Sequence, residues 1–454
     1  MARSTCAAHE TIAAQATPPG RGGIGVIRIS GPAVPAIAAA LFGEVPAPRV
    51  AELKAFPDPW GEPIDHGIAL FFPGPSSFTG EDVLELHGHG GPMVMDRLLR
   101  RTLELGARLA KPGEFCERAF LNGKVDLAQA EAVADLIDSA SEEAARRAVR
   151  TLRGEFSKRV QHLVDDVIRL RTHVEATLDF PDEEIGVFDH GVLEARFKAV
   201  TEKLGSVFVA ARRGQVLLDG LTVTIAGQPN VGKSSLLNQL LKADRAIVDA
   251  RPGTTRDTLQ EQVLIGSVPI SLIDTAGLRE TDDSIEKEGI KRAQAAIDQA
   301  DVVLLVTEYG QGRQGAEIDL LGNQELRERI TVIRNKIDRY GRTPSINHGQ
   351  YGTEICLSAR YGFGISLLEE HLRDRVGHQS AGEGGFTARR RHLEALSSAQ
   401  SDLAAGAAEL RRTGALELVA EHLARAQRTL GTITGEVTSE DLLAEIFSSF
   451  CIGK

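Results

Sequence analysis

Apolar residues recur along this chain with two different periods, and the change from one to the other divides it. Residues 1 to about 120 carry short β-like runs, GIGVIRIS (23–30), GIALFFP (67–73) and DVLELHG (82–88), interleaved with helical spacing in VPAIAAALFG (34–43) and PMVMDRLLRRTLELG (92–106). The second helical stretch opens on Pro92, where a missing N–H costs nothing, and closes at Gly106. A small α+β domain fits this order. From about 125 to 215 the texture turns to Ala, Leu, Glu and Arg. There Val149, Leu152, Phe156, Val160, Leu163, Val167, Leu170 and Val174 alternate at spacings of three and four, which predicts one packing stripe along a long helix. The same rhythm returns in Leu416, Val419, Leu423, Ala426 and Leu430. Between the two helical stretches, apolar runs precede polar loops: LTVTIAG (221–227), VPISLIDTAG (268–277), DVVLLVTE (301–308), ITVIRNKID (330–338) and EICLSA (354–359). Strands separated by helices predict a doubly wound parallel sheet, with ligands at the carboxyl ends of its strands. The chain therefore reads as multidomain α/β and α. An α+β domain (1–122) precedes a helical domain in two parts (123–215 and 377–454), into which an α/β domain (216–376) is inserted, with HQSAGEGGF (378–386) as a linker.

The length of 454 residues agrees with about three domains. A formal net charge of −11 argues against coating nucleic acid by charge alone, while leaving room for a local basic patch. No stretch approaches the ~20 consecutive apolar residues of a membrane helix, and MARSTCAAHETIAAQ lacks the apolar core of a secretory signal. Cys6, Cys116, Cys356 and Cys451 are scattered without a CxxC pair, so a reducing, cytoplasmic setting without structural zinc is expected. Cys356, inside a predicted strand, reads as a buried small hydrophobe. The H-x-H of HGHGG is expected to set His87 and His89 on opposite faces of a strand and to hold no metal.

Candidate chemistry concentrates in the inserted domain. GQPNVGKSS (227–235) fits G-x-x-x-x-G-K-[ST] through Gly227, Gly232, Lys233 and Ser234, after a predicted strand and before a predicted helix. Backbone amides of such a loop face a phosphate chain, Lys233 reaches its terminal phosphates and the Ser234 hydroxyl holds magnesium. DTAG (274–277) places Asp274 to support the magnesium shell and Gly277 near the terminal phosphate. NKID (335–338) and LSA (357–359) follow in the order expected of base-recognition loops, and PGTTRD (252–257) supplies Thr254 and Thr255 as a first switch loop. These five elements resemble a translation-factor-class GTPase, which selects GTP over ATP. Leu278 stands where Ras-like proteins carry a water-orienting glutamine, so hydrolysis needs another group.

Beyond the inserted domain, QATPPGRGGIGVIRISG (15–31), FTGEDVLELHGHGGP (78–92), KPGEFCERAFLNGKVDLAQAEAVADLI (111–137), DTAGLRE and the terminal CIGK resemble the MnmE (TrmE) family over essentially the whole chain. The resemblance implies a homodimeric, potassium-stimulated GTPase of tRNA wobble-uridine modification. It further implies an FAD-dependent partner, the MnmG (GidA) flavoprotein, in a heterotetramer that contacts tRNA mainly through that partner.

It implies a GTP/GDP-contacting set of Asn230, Val231, Gly232, Lys233, Ser234 and Ser235, then Asp249, Ala250, Arg251, Pro252, Gly253, Thr254 and Thr255. Asp274, Thr275, Ala276 and Gly277 follow, with Asn335, Lys336, Asp338, Ser358 and Ala359 on the base side. Magnesium falls to Ser234 and Thr255, and potassium to Asn230, Asp249, Arg251 and Thr254. By its own residues Glu286 reads as a solvated first-turn acid; the resemblance makes it the catalytic, water-orienting glutamate.

The N-terminal domain resembles a folate-binding, dimerising fold related to aminomethyltransferases, taking 5-formyl- or methylene-tetrahydrofolate at Arg28, Glu85, Lys124 and Lys454. Cations suit the glutamate tail of a folate and a carboxylate suits the pterin edge, although singly Arg28 and Lys124 read as surface residues. Cys451 in CIGK is a candidate functional thiol; the last four residues are no prenylation signal. A ribosome-assembly or other RNA-related GTPase switch is the alternative reading.

Overall fold

The computed structural model describes residues 10–139, 141–179, 190–243, 260–265, 268–274, 297, 300–311, 329–349, 352–375 and 385–453. They group into two compact units. One comprises Met1–Asp138, Val149–Val207 and Glu394–Lys454, the other Ser139–Ala148 and Phe208–Leu393.

In the first unit, six strands form one sheet: β1 (Ile12–Gln15), β2 (Gly22–Ser30), β3 (Glu52–Pro57), β4 (Pro63–Phe72), β5 (Val83–Gly90) and β6 (Arg108–Leu109), in the order β3-β4-β5-β2-β1-β6. All pairs are antiparallel except β1 with β6. The sequence pattern finds β2, β4 and β5 but not β1, β3 or β6, which are short or alternate weakly. Alternate residues of the sheet, Ile27, Ile29, Leu84 and Leu86 among them, turn to one face. There they pack on Val34, Ile37 and Leu41 of α1 (Val34–Phe42) and on Met95 and Leu98 of α2 (Pro92–Glu104). On the other face Ile12 and Ala14 meet Phe115 of α3 (Glu114–Leu121).

The helical part of this unit consists of α4 (Leu127–Asp138), α6 (Glu155–Asp179), the first half of α7 (His190–Asp219), most of α10 (Arg390–Arg412), α11 (Leu416–Thr434) and α12 (Glu440–Ser448). The expected stripe of Phe156, Val160, Leu163, Val167, Leu170 and Val174 is buried, as are Val419, Leu423, Ala426 and Leu430 on α11, which packs along α6. Arg171 on α6 donates to Gln427 Oε1 on α11 across the seam (2.7 Å). The stripe is not one helix, however. Val149 and Leu152 belong to a separate α5 (Glu142–Leu152), because Gly154 takes φ +82° and ends the helical run.

Helix α12 starts on Ser439, whose hydroxyl accepts the Leu442 N–H (3.3 Å), and buries Ile446 and Phe447 with Phe450 against Cys116 and Phe120 of α3. The chain after α12 then runs back along the N-terminal sheet. Gly113, at φ +66°, donates its N–H to the Cys451 carbonyl (3.4 Å), and a Cβ on Gly453 would lie 2.3 Å from the Gln15 carbonyl oxygen.

The second unit holds a seven-stranded sheet. Its strands are β7 (Leu221–Ala226), β8 (Gln260–Ile265), β9 (Val268–Asp274), β10 (Val302–Glu308), β11 (Ile330–Asn335), β12 (Ser345–Gly349) and β13 (Gly352–Cys356), ordered β12-β13-β11-β10-β7-β9-β8. The five central strands are parallel, as their nearly continuous apolar runs require. Both edges, β8 and β12, are antiparallel hairpin additions that the sequence pattern does not reveal. Helices α8 (Lys233–Ala243) and α9 (Ile365–Arg375) bury Leu236, Leu240, Leu368 and Leu372 against the sheet. No described helix is long and apolar enough to cross a membrane.

An acid network ties α3 to the N-terminal sheet. Glu114 accepts from Arg108 Nη1 (2.8 Å) and Nη2 (2.5 Å), from the Lys111 N–H (2.8 Å) and from Arg118 (3.1 Å). Burial pushes its pKa upward, but these donors outweigh burial and bring it down to about 2. A carboxyl held below its unfolded value stabilises the fold above about pH 4.5 and loses that contribution as pH falls toward 2. Glu114→Gln is therefore expected to lower the melting temperature at pH 7 and to flatten the loss of stability between pH 4.5 and 2, measured by thermal unfolding across that range; an acid profile unchanged from the parent would contradict the assignment.

Candidate functional site

The expected phosphate loop joins β7 to α8, and its path requires glycine twice. Gly227 takes φ +144°, and a Cβ there would lie 2.3 Å from the Val306 carbonyl oxygen on β10. Gly232 takes φ +102°, and a Cβ there would lie 2.2 Å from Asn335 Nδ2. Between them Val231 is buried in the core and Asn230 sits exposed in the left-handed region at φ +63°. Helix α8 then begins at Lys233, so the unpaired N–H groups of its first turn face the loop's concavity. Ser234 and Ser235 are exposed in that turn, while Lys233 Nζ folds over the loop and donates to the carbonyls of Gly227 (2.7 Å) and Gln228 (2.9 Å). An ammonium, two hydroxyls and helix-start amides form a donor set suited to a phosphate chain. The exposed Ser234 hydroxyl suits a magnesium ion beside it. Asp274 closes β9 opposite Ile225, at the strand end next to this loop.

On the base side one side chain joins three motifs. Asn335, buried at the end of β11, donates through Nδ2 to the Val231 carbonyl (2.8 Å) and accepts through Oδ1 from the Ala359 N–H (2.9 Å). Lys336 turns out at φ +66° and pairs with Glu308 (2.6 Å). That hydrogen bond, with Arg339 adding to it, holds the Glu308 carboxyl below the usual carboxylate range. Nothing in the motif pattern marks Glu308; only its place at the end of β10 would have. Asp338, in the turn Ile337–Tyr340, accepts from the Ser358 hydroxyl through Oδ1 (2.5 Å). The structure thus brings Val231, Gly232, Asn335, Lys336, Asp338, Ser358 and Ala359 together. Asp249, Ala250, Arg251, Pro252, Gly253, Thr254, Thr255, Thr275, Ala276, Gly277, Glu286 and Lys454 lie outside the described residues.

In the first unit Arg28 and Glu85 are register partners on β2 and β5, joined by a 2.9 Å ion pair. The Arg28 guanidinium also lies 5.8 Å from the rings of Phe78 and Phe115, two neighbours that the sequence motifs did not single out. Lys124 reaches the loop that carries Phe78 from elsewhere, donating to the Pro75 carbonyl (2.9 Å) and packing on Gly80. A partly exposed cation and a largely buried carboxylate beside the accessible Phe78 ring suit a flat, polar-edged ligand with an anionic tail. Cys451 is exposed, in the segment tied down at Gly113. Cys356 is buried. The expectation for His87 and His89 is corrected: residues two apart on a strand share a face. Each is engaged by its own acid, His87 by Glu85 (3.0 Å) and His89 by Asp65 (2.8 Å). Among the described residues no cluster of three or more His, Cys, Asp or Glu side chains could hold a metal.

Removing the Asn335 amide leaves the Val231 carbonyl and Ala359 N–H unpaired in the interior, at roughly 1–3 kcal/mol for each buried group. Asn335→Ala is expected to weaken GDP binding at least about tenfold in a fluorescent-nucleotide titration, since 1.4 kcal/mol is a factor of ten; unchanged affinity would show that the bridge does not shape the cleft.

Comparison with known proteins agrees with this assembly of parts. Residues 11–124 match the family model of the GTP-binding protein TrmE N-terminus, and residues 127–451 match that of the MnmE helical domain. A protein of Methylococcus capsulatus is 52% identical over 448 residues, covering 98% of this chain and 99% of the relative. One of Chromohalobacter salexigens is 53% identical over 450 residues, and one of Thiobacillus denitrificans 54% over 445, each covering 98% of both chains. All three are named tRNA modification GTPase MnmE. With two family models spanning most of its length and relatives more than half identical end to end, this chain belongs to the MnmE (TrmE) family of GTPases.

Proposed function

We propose that this protein is a potassium-stimulated GTPase of tRNA modification that works with an FAD-dependent partner, the MnmG (GidA) flavoprotein. Together they add an aminomethyl or carboxymethylaminomethyl group to C5 of the wobble uridine, using a folate one-carbon unit. The observation that carries the reading is the near-full-length likeness to relatives named tRNA modification GTPase MnmE, in a chain whose phosphate and base loops meet at Asn335. The TrmE match over residues 11–124 weighs against a ribosome-assembly switch, which would need no such domain.

In this reading the α8 N-terminus and Lys233 cradle the phosphates, and Asp338 accepts the two N–H groups on the guanine edge while Ser358 braces it. Ser234 and Thr255 would hold magnesium, which neutralises developing phosphate charge. Asn230, already held outward at φ +63°, would hold potassium with Asp249, Arg251 and Thr254, and Glu286 would orient the attacking water. Potassium supplies the positive charge that an arginine finger supplies elsewhere. Arg28, Glu85, Lys124 and Lys454 would hold the tetrahydrofolate derivative, which supplies the one-carbon unit. The homodimer would bring two nucleotide clefts together, and tRNA would be engaged mainly through the partner.

Two outcomes follow. GTP hydrolysis by the full chain is expected to be strongly faster in potassium than in sodium, with Asn230→Ala losing the difference and Glu286→Ala losing hydrolysis while retaining nucleotide; equal rates in both salts would remove the potassium mechanism. Asp338→Asn is expected to weaken GTP binding about a hundredfold and to favour xanthosine nucleotides, whose C2 carbonyl accepts from an amide, as read in competition titrations; retained guanine preference would remove Asp338 from base recognition.

A further inference from the structure

The two base-side loops carry more than the groups that read a base. The hairpin from Ser358 to Phe363 is closed by an antiparallel bridge, with the Ser358 N–H donating to the Phe363 carbonyl (2.9 Å), and it turns through Gly362 at φ +76°. Its tip holds Tyr361 and Phe363 stacked at 5.8 Å and 22°, both more than half exposed. Arg360 lies over the Tyr361 ring at 5.5 Å. Gly364, the next residue, presses on Pro344, so the hairpin is packed against the neighbouring loop that carries exposed Arg339, Tyr340 and Arg342. Arg339 pairs with Glu308, but Arg342 and Arg360 have no carboxylate partner among the described residues.

This is an unusual surface for a chain of net charge −11. Burying Tyr361 and Phe363 against a protein surface without acids would also bury two guanidinium groups that have no carboxylate partner among the described residues, a costly desolvation. A polyanion with flat rings removes that objection, because phosphates pair with the arginines while bases stack on the aromatic faces. The stacked rings are also held rigid, since the hairpin that presents them is the one whose Ala359 N–H is fixed by Asn335. We infer that Tyr361 and Phe363, with Arg360 over the Tyr361 ring and Arg342 on the adjoining loop, form a stacking platform for single-stranded RNA, such as an unpaired loop of the tRNA substrate. The inference rests on the tRNA reading above for the identity of the RNA and adds a direct contact made by this chain's own nucleotide-binding unit.

The test is fluorescence anisotropy of the full-length protein, loaded with GDP, titrated into a labelled tRNA transcript and a labelled single-stranded RNA dodecamer. Tyr361→Ala is expected to weaken binding of both about five- to a hundredfold, and Tyr361→Trp, which keeps a stacking face, to bind as the parent does. Arg342→Gln is expected to weaken binding and to reduce the slope of log affinity against log salt by about one. Parent-like RNA affinity in Tyr361→Ala overturns the inference, as does a parent protein that binds neither RNA. A Tyr361→Ala variant that binds RNA normally but loses the flavoprotein partner assigns the surface to a protein and also overturns it. Because binding is read without the modification reaction, a parent that binds tRNA yet never modifies it defeats the proposed function and leaves the platform standing.

Discussion

The nucleotide cleft depends on one buried amide. Asn335 sits at the carboxyl end of a central strand and spends both halves of its side chain on backbone, one on the phosphate loop and one on the base loop. Each of those backbone groups is interior and would otherwise be unpaired, so the three segments are held to one geometry by the cost of separating them. Gly232 exists as glycine for the same reason: any side chain there would enter the space that the amide occupies. The sheet beneath supplies rigidity, with five parallel strands whose side chains are buried on both faces.

The other unit uses the same economy on a different scaffold. An antiparallel sheet sets Arg28 beside Glu85 by register alone, and the network of Glu81, Arg118, Glu114 and Arg108 fixes the neighbouring loop and helix around them. The C-terminal segment is brought to this domain by the apolar face of α12 and by two close approaches at Gly113 and Gly453. Arg28 and Glu85 thus lie partly accessible on strands whose opposite face is core.

Much of this was legible in the sequence where burial writes a simple period. The parallel strands of the second unit, the α6 and α11 stripes and the phosphate loop follow from apolar runs and from glycine spacing. Edge strands β8 and β12 were not legible, because one-sided pairing leaves a weak pattern, and the break between α5 and α6 was hidden because the apolar rhythm continues across Gly154. Within the sites, motif residues were found by type and spacing, whereas Glu308, Phe78 and Phe115 emerge only from tertiary proximity. The faces of His87 and His89 could have been read correctly from strand period alone.

In the proposed function one chain joins guanine-nucleotide turnover to one-carbon chemistry on tRNA. The direct measurement is mass analysis of nucleosides from tRNA incubated with the full-length protein, the proposed flavoprotein partner, FAD, a methylene-tetrahydrofolate, potassium, magnesium and an amine donor. A C5-substituted wobble uridine that forms with GTP and not with a non-hydrolysable analogue is the predicted result. Unmodified tRNA with every component present and GTP being hydrolysed would contradict it.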